Sequence, residues 1–447
     1  MPAARQPADM AGIPGDLDTD RGPPLAVPLA HFLVGLAFLL VGALVGAAPS
    51  SVPGLAGLAH VHLLLVGWVC VTILGAMTQF VPVWSGVALH GRRLATAQLW
   101  LLATGVAGFA GALLAGALAW LAVPGTLMLA GLLVFAYNLA RTLGSARPWD
   151  VTERHFAIAL CFFALLAPLG LLLAAGYAVS LPLPVARPAL VATHATLAVF
   201  GAVLTTVLGA LYQLATMFTQ SDLHGVDRPL RAVEEVGYPA GVVALAAGRL
   251  LGDATLARVG GLLLAAGLAA FAVVLLRRLA EASVDRTPML TRYAVVACVA
   301  AVWAPVAAGT WLVDPLGRAA LLGPPGLAHL LLVGVVGFVV VGTLYHVVPF
   351  LVWVHRYSDR LGLEPVPSID DLYDDRLAAV DFWALLGAAV ALVLAAAGLA
   401  PPGVPPASLR VAGGALALVG VATFAANMLL VVGRHGPGAA TALLARG

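Results

Sequence analysis

The chain has 447 residues, 62% of them hydrophobic and only 10% charged, with a net charge of +2 and a mean hydropathy of +1.01. Soluble domains carry about 25% charged residues, so the composition excludes an ordinary soluble domain and points to an integral membrane protein in a lipid bilayer. The 23 basic residues are all Arg and form no basic tract, which gives nucleic acid no electrostatic footing.

Apolar runs of roughly 20 residues recur, each long enough to cross a bilayer as a helix. Twelve helices are predicted, at 25–48, 57–83, 95–117, 119–142, 154–178, 187–217, 232–251, 255–279, 291–313, 325–354, 378–399 and 408–433. The chain thus divides into an N-terminal segment 1–24, a twelve-helix membrane domain 25–433 and a tail 434–447. Residues 1–24 mix acids, prolines and Arg and lack the order of a cleaved signal, so the first helix is expected to stay. Arg collects on alternate sides: Arg92 and Arg93 follow the second helix, Arg228 and Arg231 the sixth, Arg277, Arg278 and Arg286 the eighth, and Arg356, Arg360 and Arg376 the tenth. The positive-inside rule then predicts a multi-pass plasma-membrane protein with both termini cytoplasmic. The loop at about 355–377 reads as a connector. Cys70, Cys161 and Cys298 form no CxxC pair and read as small buried hydrophobes.

Three helices share a register. The second reads HLLLVGWVCVTILGAMTQFVP from His62 and the tenth HLLLVGVVGFVVVGTLYHVVP from His329. Both have Gly at +5 (Gly67, Gly334) and +13 (Gly75, Gly342) and Pro at +20 (Pro82, Pro349). The sixth fits from Thr196, with Gly201, Gly209 and, at +17, Gln213 beside Gln79 and His346. The zero positions are 134 and 133 residues apart. The pattern predicts an all-α fold of three four-helix repeats in a pseudo-threefold bundle. Transporters are typically built from two halves instead. The glycines read as points of close helix approach.

Four histidines cluster at the start of these helices: His62 and His329 at position zero, His60 and His194 at −2. Two helical residues turn through about 200° and rise about 3 Å, so the two positions face opposite flanks at nearly one depth. Around a threefold axis, His60 can face His329 and His62 can face His194; the third pairing, Leu327 with Thr196, has no ligands. Intramembrane ionisable residues are functional candidates by default. Facing imidazoles suit haem iron and, as the runner-up, copper or zinc.

HVHLLLVGWV followed by Gly75 and Pro82 resembles the histidine motif of the haem–copper oxidase catalytic subunit, above all its C-family and nitric-oxide-reductase branches. A haem- and copper-containing membrane family linked to nitric oxide response is similar in the same stretch. Oxidase subunit I-like architecture would imply twelve helices, pseudo-threefold symmetry, one or two b-type haems with copper as a further candidate, and electron transfer in aerobic respiration with an extracytoplasmic redox partner or respiratory subunit. Residue by residue, His60 and His329 match the family's low-spin haem ligands. Leu327 stands where the oxygen-reactive haem ligand is expected, Thr196 stands at a copper-ligand position, and the seventh helix, VEEVGYPAG, lacks the His-His pair. An alignment rotated by one repeat makes His60-Val-His62 the His-x-His, His194 its low-spin partner and His329 a copper ligand, still without the pair. The resemblance therefore implies an oxidoreductase-like protein whose oxygen-reducing centre is incomplete, or else a copper- or nitric-oxide-handling protein or transporter.

The remaining polar residues are read more plainly. His346 is expected to hydrogen-bond. Tyr212, Tyr345, His31 and His155 are expected at the membrane interface. Glu234, Glu235 and Asp381 read as solvated helix starts. No Walker A, GxSxG or HExxH motif is present.

Overall fold

The computed structural model describes residues 23–47, 52–179 and 185–436. Apart from 23–24 and 434–436, the expected N-terminal segment and tail lie outside the described residues. Twelve long helices are described: α1 (Ala26–Ala47), α2 (Ala56–Trp84), α3 (Arg92–Leu114), α4 (Leu118–Gly144), α5 (Val151–Ala175), α6 (Arg187–Thr219), α7 (Asp227–Leu251), α8 (Ala254–Ala280), α9 (Pro288–Val313), α10 (Leu330–Arg360), α11 (Asp375–Ala396) and α12 (Pro406–His435). Eleven are long and apolar enough to span a membrane. The other, α7, opens on Asp227, Arg228, Arg231, Glu234 and Glu235 and is correspondingly more polar.

Neighbours in the chain are neighbours in space. The hairpins α3–α4, α7–α8 and α11–α12 pack most closely, and α1, α5 and α9 each lie against the helix that follows. The links α4–α5, α8–α9 and α12–α1 join one four-helix unit to the next, so the last helix packs back on the first. Much of the outward face is apolar, with Leu44, Trp120, Leu165, Val302 and Trp383 exposed. That suits lipid rather than water as the surrounding solvent. Cys70 is buried as expected, whereas Cys161 and Cys298 are exposed on this outward face; an apolar run does not say which side of a helix meets the core.

The three register-related helices share a backbone feature. Each carries an eight-residue π-helical segment that begins at +1: Leu63–Cys70 in α2, Leu197–Leu204 in α6 and Leu330–Gly337 in α10. The glycine at +5 lies inside each segment, where a missing side chain eases a non-α conformation. π segments are rare and recur at functional sites.

The glycines act at close range. A Cβ on Gly67, Gly201 or Gly334 would lie 2.6, 2.8 or 3.2 Å from Phe38, Phe162 or Val299, and one on Gly75, Gly209 or Gly342 would lie 2.5, 2.4 or 3.1 Å from His31, His155 or Arg292. In α1, α5 and α9 the two contacts are seven residues apart each time. The repeat therefore extends to the first helix of each unit. The connector after α10 is anchored by the Trp353 Nε1–H donating to the Pro367 carbonyl at 2.6 Å and by Asp374, which caps α11.

Candidate functional site

Two of the four clustered histidines share a cavity. His62 from α2 and His194 from α6 both line a pocket whose other walls are apolar residues of α3, α4 and α5, among them Phe109, Leu132 and Phe163. The rings are oriented by backbone carbonyls: His62 Nδ1–H donates to Leu58 at 2.9 Å and His194 Nδ1–H to Leu166 at 3.1 Å. A carbonyl can only accept, which fixes each ring as the Nδ1–H tautomer and leaves the Nε2 lone pair for a ligand. Neither Nε2 has a hydrogen-bond partner among the described residues. A metal-binding imidazole is commonly held in this way by its other nitrogen. Two imidazoles oriented in this way have the donor chemistry of a haem ligand pair.

His60 is held by the same device. Its Nδ1–H donates to the Gly42 carbonyl at 2.8 Å, and Gly42 stands eleven residues after His31, as Leu166 stands eleven after His155. Four residues further on, Gly46 and Gly170 leave room for the rings; a Cβ there would lie 2.3 Å from His60 and 3.0 Å from His194. His60 is in electrostatic contact with His329, and His62 with His194. Of the two pairings expected from the register, His62 and His194 share one pocket. Among the described residues, no group of three or more His, Cys, Asp or Glu is placed to hold a metal ion.

The third flank is filled by the chain itself. Arg249 Nη1–H donates to Thr196 Oγ1 at 2.7 Å, and the guanidinium also donates to the carbonyls of Pro315, Ala320 and Leu321. Trp303, at the position equivalent to Gly42 and Leu166, packs with Trp311 and Phe200 beside it. Arg249, in the last turn of α7, is a buried cation holding this plug together.

The opposite ends of the repeats correct several expectations. His31 and His155 are buried, not interfacial, and so are Tyr212 and Tyr345. Glu234 and Asp381 are wholly buried rather than solvated. In the first repeat, Gln98 of α3 donates towards His31 Nε2 at 3.5 Å and to Thr78 Oγ1 at 3.3 Å. In the second, His155 Nε2 faces both carboxylate oxygens of Glu234 of α7, at 2.9 and 3.1 Å, while its Nδ1–H donates to Val151, and Tyr212 stands beside Glu234. In the third, Arg292 pairs with Asp381 of α11, which also accepts from the Tyr345 hydroxyl; Asn427 donates to that hydroxyl at 3.1 Å. Thr78, Tyr212 and Tyr345 all stand at +16. Glu235, by contrast, is the expected surface acid, paired with Arg154. His346 makes no hydrogen bond among the described residues; it packs on Phe218 at 4.1 Å and Phe350 at 5.8 Å.

The sequence signal for these clusters was present. His31, His155 and Arg292 each precede an aromatic residue, Phe32, Phe156 and Tyr293. No protein-family model matches the chain, and neither does any curated protein.

Proposed function

We propose that the chain is a haem-binding membrane protein with a pseudo-threefold, oxidase subunit I-like arrangement, acting in membrane electron transfer. The observation that carries this is the pair His62 and His194, two imidazoles from different helices on one apolar cavity, each with Nδ1 satisfied and Nε2 available. Imidazole pairs hold low-spin haem iron, and such a haem exchanges single electrons. Within this reading the chain's own residues do the rest. The Leu58 and Leu166 carbonyls fix the ring tautomers, Gly170 admits the His194 ring, and Phe109, Leu132 and Phe163 keep water away from the group.

The cavity favours His62 with His194 as the first haem site, as in the rotated alignment. His60 and His329 then form the second site, for a further haem or for copper. The incomplete histidine set argues against oxygen reduction in the oxidase manner. The Arg distribution supports cytoplasmic termini in a plasma membrane, which puts the histidine end on the extracytoplasmic side, facing a redox partner there.

The test is an optical spectrum with haem and metal quantitation on protein produced with ample haem. The expected result is a Soret band and a reduced-minus-oxidised b-type spectrum, with one haem lost in both His62→Ala and His194→Ala. A colourless protein would overturn the reading. If that colourless protein retained copper or zinc, lost on His60→Ala or His329→Ala, the metal-handling alternative would replace it.

A further inference from the structure

The foot of the α3–α4 hairpin differs in charge from the feet of the other two repeats. In the first repeat the Gly91 N–H donates to Asn138 Oδ1 at 2.8 Å, and the Asn138 amide returns a bond to the Gly91 carbonyl at 3.0 Å. In the third, Asp374 and Asn427 make the same clamp, at 2.9 Å both ways. The clamped residue precedes the third helix of its repeat, and the asparagine belongs to the fourth. Asp374 caps α11 with its carboxylate, and Asp375 follows it. Gly91 leaves α3 without a side-chain cap, and Arg92 and Arg93 follow it. In the second repeat Asp227 stands at the corresponding joint, in the first turn of α7, and accepts from Arg277 and Arg278 of α8, both at 2.7 Å. Cations in a first helical turn oppose the helix dipole, so the stability of α3 does not account for Arg92 and Arg93.

The cluster is wider than these two residues. The His90 N–H donates to Thr142 Oγ1 at 3.1 Å, and the His90 ring meets Tyr137 at 5.5 Å. Residues 90–91 therefore lie across the turn of α4 that carries Arg141. His90, Arg92, Arg93 and Arg141 are all exposed, and the three guanidinium groups make no hydrogen bond or ion pair among the described residues. The first repeat cannot supply a partner, because the chain's 21 acids all lie before Arg21 or after Trp149. The next two along the chain, Asp150 and Glu153, are engaged at the start of α5 and with Ser85. Arginine occurs in every loop on this side, as the positive-inside rule expects; the lack of any acid sets this one apart. Exposed stripes lead away from the cluster at helical spacing, Arg93, Ala97 and Trp100 on α3 and Arg141, Tyr137 and Leu133 on α4. Charge at the foot and an apolar face beyond it match the two parts of a phospholipid.

We propose that the foot of α3–α4 is a docking surface for an anionic phospholipid of the bilayer, its phosphate among Arg92, Arg93 and Arg141 and its chains along the stripes towards Trp100 and Leu133. Guanidinium groups suit phosphate oxygens, and Tyr137 takes the place of an aromatic at headgroup level. The proposal rests on the unopposed charge and is independent of haem.

Native mass spectrometry of the detergent-solubilised full chain tests it, with dioleoylphosphatidylglycerol and dioleoylphosphatidylcholine as probes. The anionic lipid is expected to bind at least about tenfold more tightly than the zwitterionic one. Arg141→Gln should weaken the anionic lipid about fivefold and leave the zwitterionic one unchanged. Arg92→Gln, Arg93→Gln and Arg141→Gln together should make the two lipids equal. Arg376→Gln, the counterpart of Arg93 beside the acids of the third repeat, should change neither. Equal binding of the two lipids by the wild type would overturn the surface, and so would a loss in Arg376→Gln as large as in Arg141→Gln. Displacement of the anionic lipid by inorganic phosphate would replace it with a free anion. A preference that appears only after Asp9, Asp16, Asp18 and Asp20 are changed to Asn would make that stretch of the chain the occupant and overturn the lipid.

Discussion

The second and third repeats meet the same packing problem with different chemistry. In each, the first helix sends a basic side chain under the glycine at +13 to an acid on the third helix of the repeat, His155 to Glu234 and Arg292 to Asp381. Arg292 cannot lose its charge in a protein, and Asp381 faces it while also accepting from the Tyr345 hydroxyl. His155 can give up its proton, and Glu234 is held by little besides that ring and its neighbour Tyr212. The first repeat, His31 with Gln98, has no acid at all. One backbone design thus carries a permanent ion pair, a proton-sharing pair and a neutral pair.

The comparison breaks most visibly at Arg292. Arg292→Leu or Asp381→Leu leaves an uncompensated buried charge and should cost about 3–5 kcal/mol. The double variant should recover most of that loss. Denaturant unfolding of the detergent-solubilised protein measures all three, and single variants no more costly than the double would mean that the pair is not a coupled unit.

Glu234→Gln should cost less, about 1–3 kcal/mol, because His155 can become neutral and still accept or donate to the amide. A loss as large as that of Asp381→Leu would show that the second repeat behaves as a fixed ion pair after all. Gln98→Leu in the first repeat should cost about 1 kcal/mol, one weak hydrogen-bond set between neutral groups.

The difference between the repeats also marks what the sequence could show. The twelve helices were legible as apolar runs, and the common register of α2, α6 and α10 because glycine recurs at fixed offsets within single helices. The meeting of His62 with His194 followed from helical phase once three such helices are set around one axis. The inner clusters were not legible in that way. His155 and Glu234 lie 79 residues apart and Arg292 and Asp381 89 apart, and what α5 and α9 share in sequence, an aromatic next to the basic residue with Cys161 and Cys298 six and Pro168 and Pro305 thirteen residues after it, says nothing of the partner helix. Glu234 stands in the polar opening turns of α7 beside the half-buried Arg231 and Glu235, and nothing local distinguishes it from Glu235. The π segments were likewise hidden, since their residues are ordinary Leu, Val and Gly. The plug on the third flank depends on Arg249 reaching a loop more than sixty residues away.

The smallest expected effect separates pH dependence at the helix start from pH dependence in the cluster. Asp150 caps α5, the helix that carries His155, accepting from the backbone N–H of Thr152 and Glu153, while Glu153 reaches back to the Asp150 N–H and also accepts from Ser85. Burial pushes the Asp150 carboxyl up, but the hydrogen bonds from Glu153 and Thr152 and the nearby Arg154 outweigh it and hold the carboxyl below its usual range. A carboxyl lowered by folding contributes stability that is complete above its unfolded value of about 3.9 and is lost as pH falls through the folded one. Asp150→Asn keeps a good cap, so at neutral pH it should cost only a few tenths of a kcal/mol, whereas Asp150→Ala should cost about 1 kcal/mol. The Asn variant should flatten the acid limb of the unfolding curve below pH 4 and leave the rest in place. If the acid limb is unchanged, the acid sensitivity of α5 belongs to His155 and Glu234, and the cap contributes none of it.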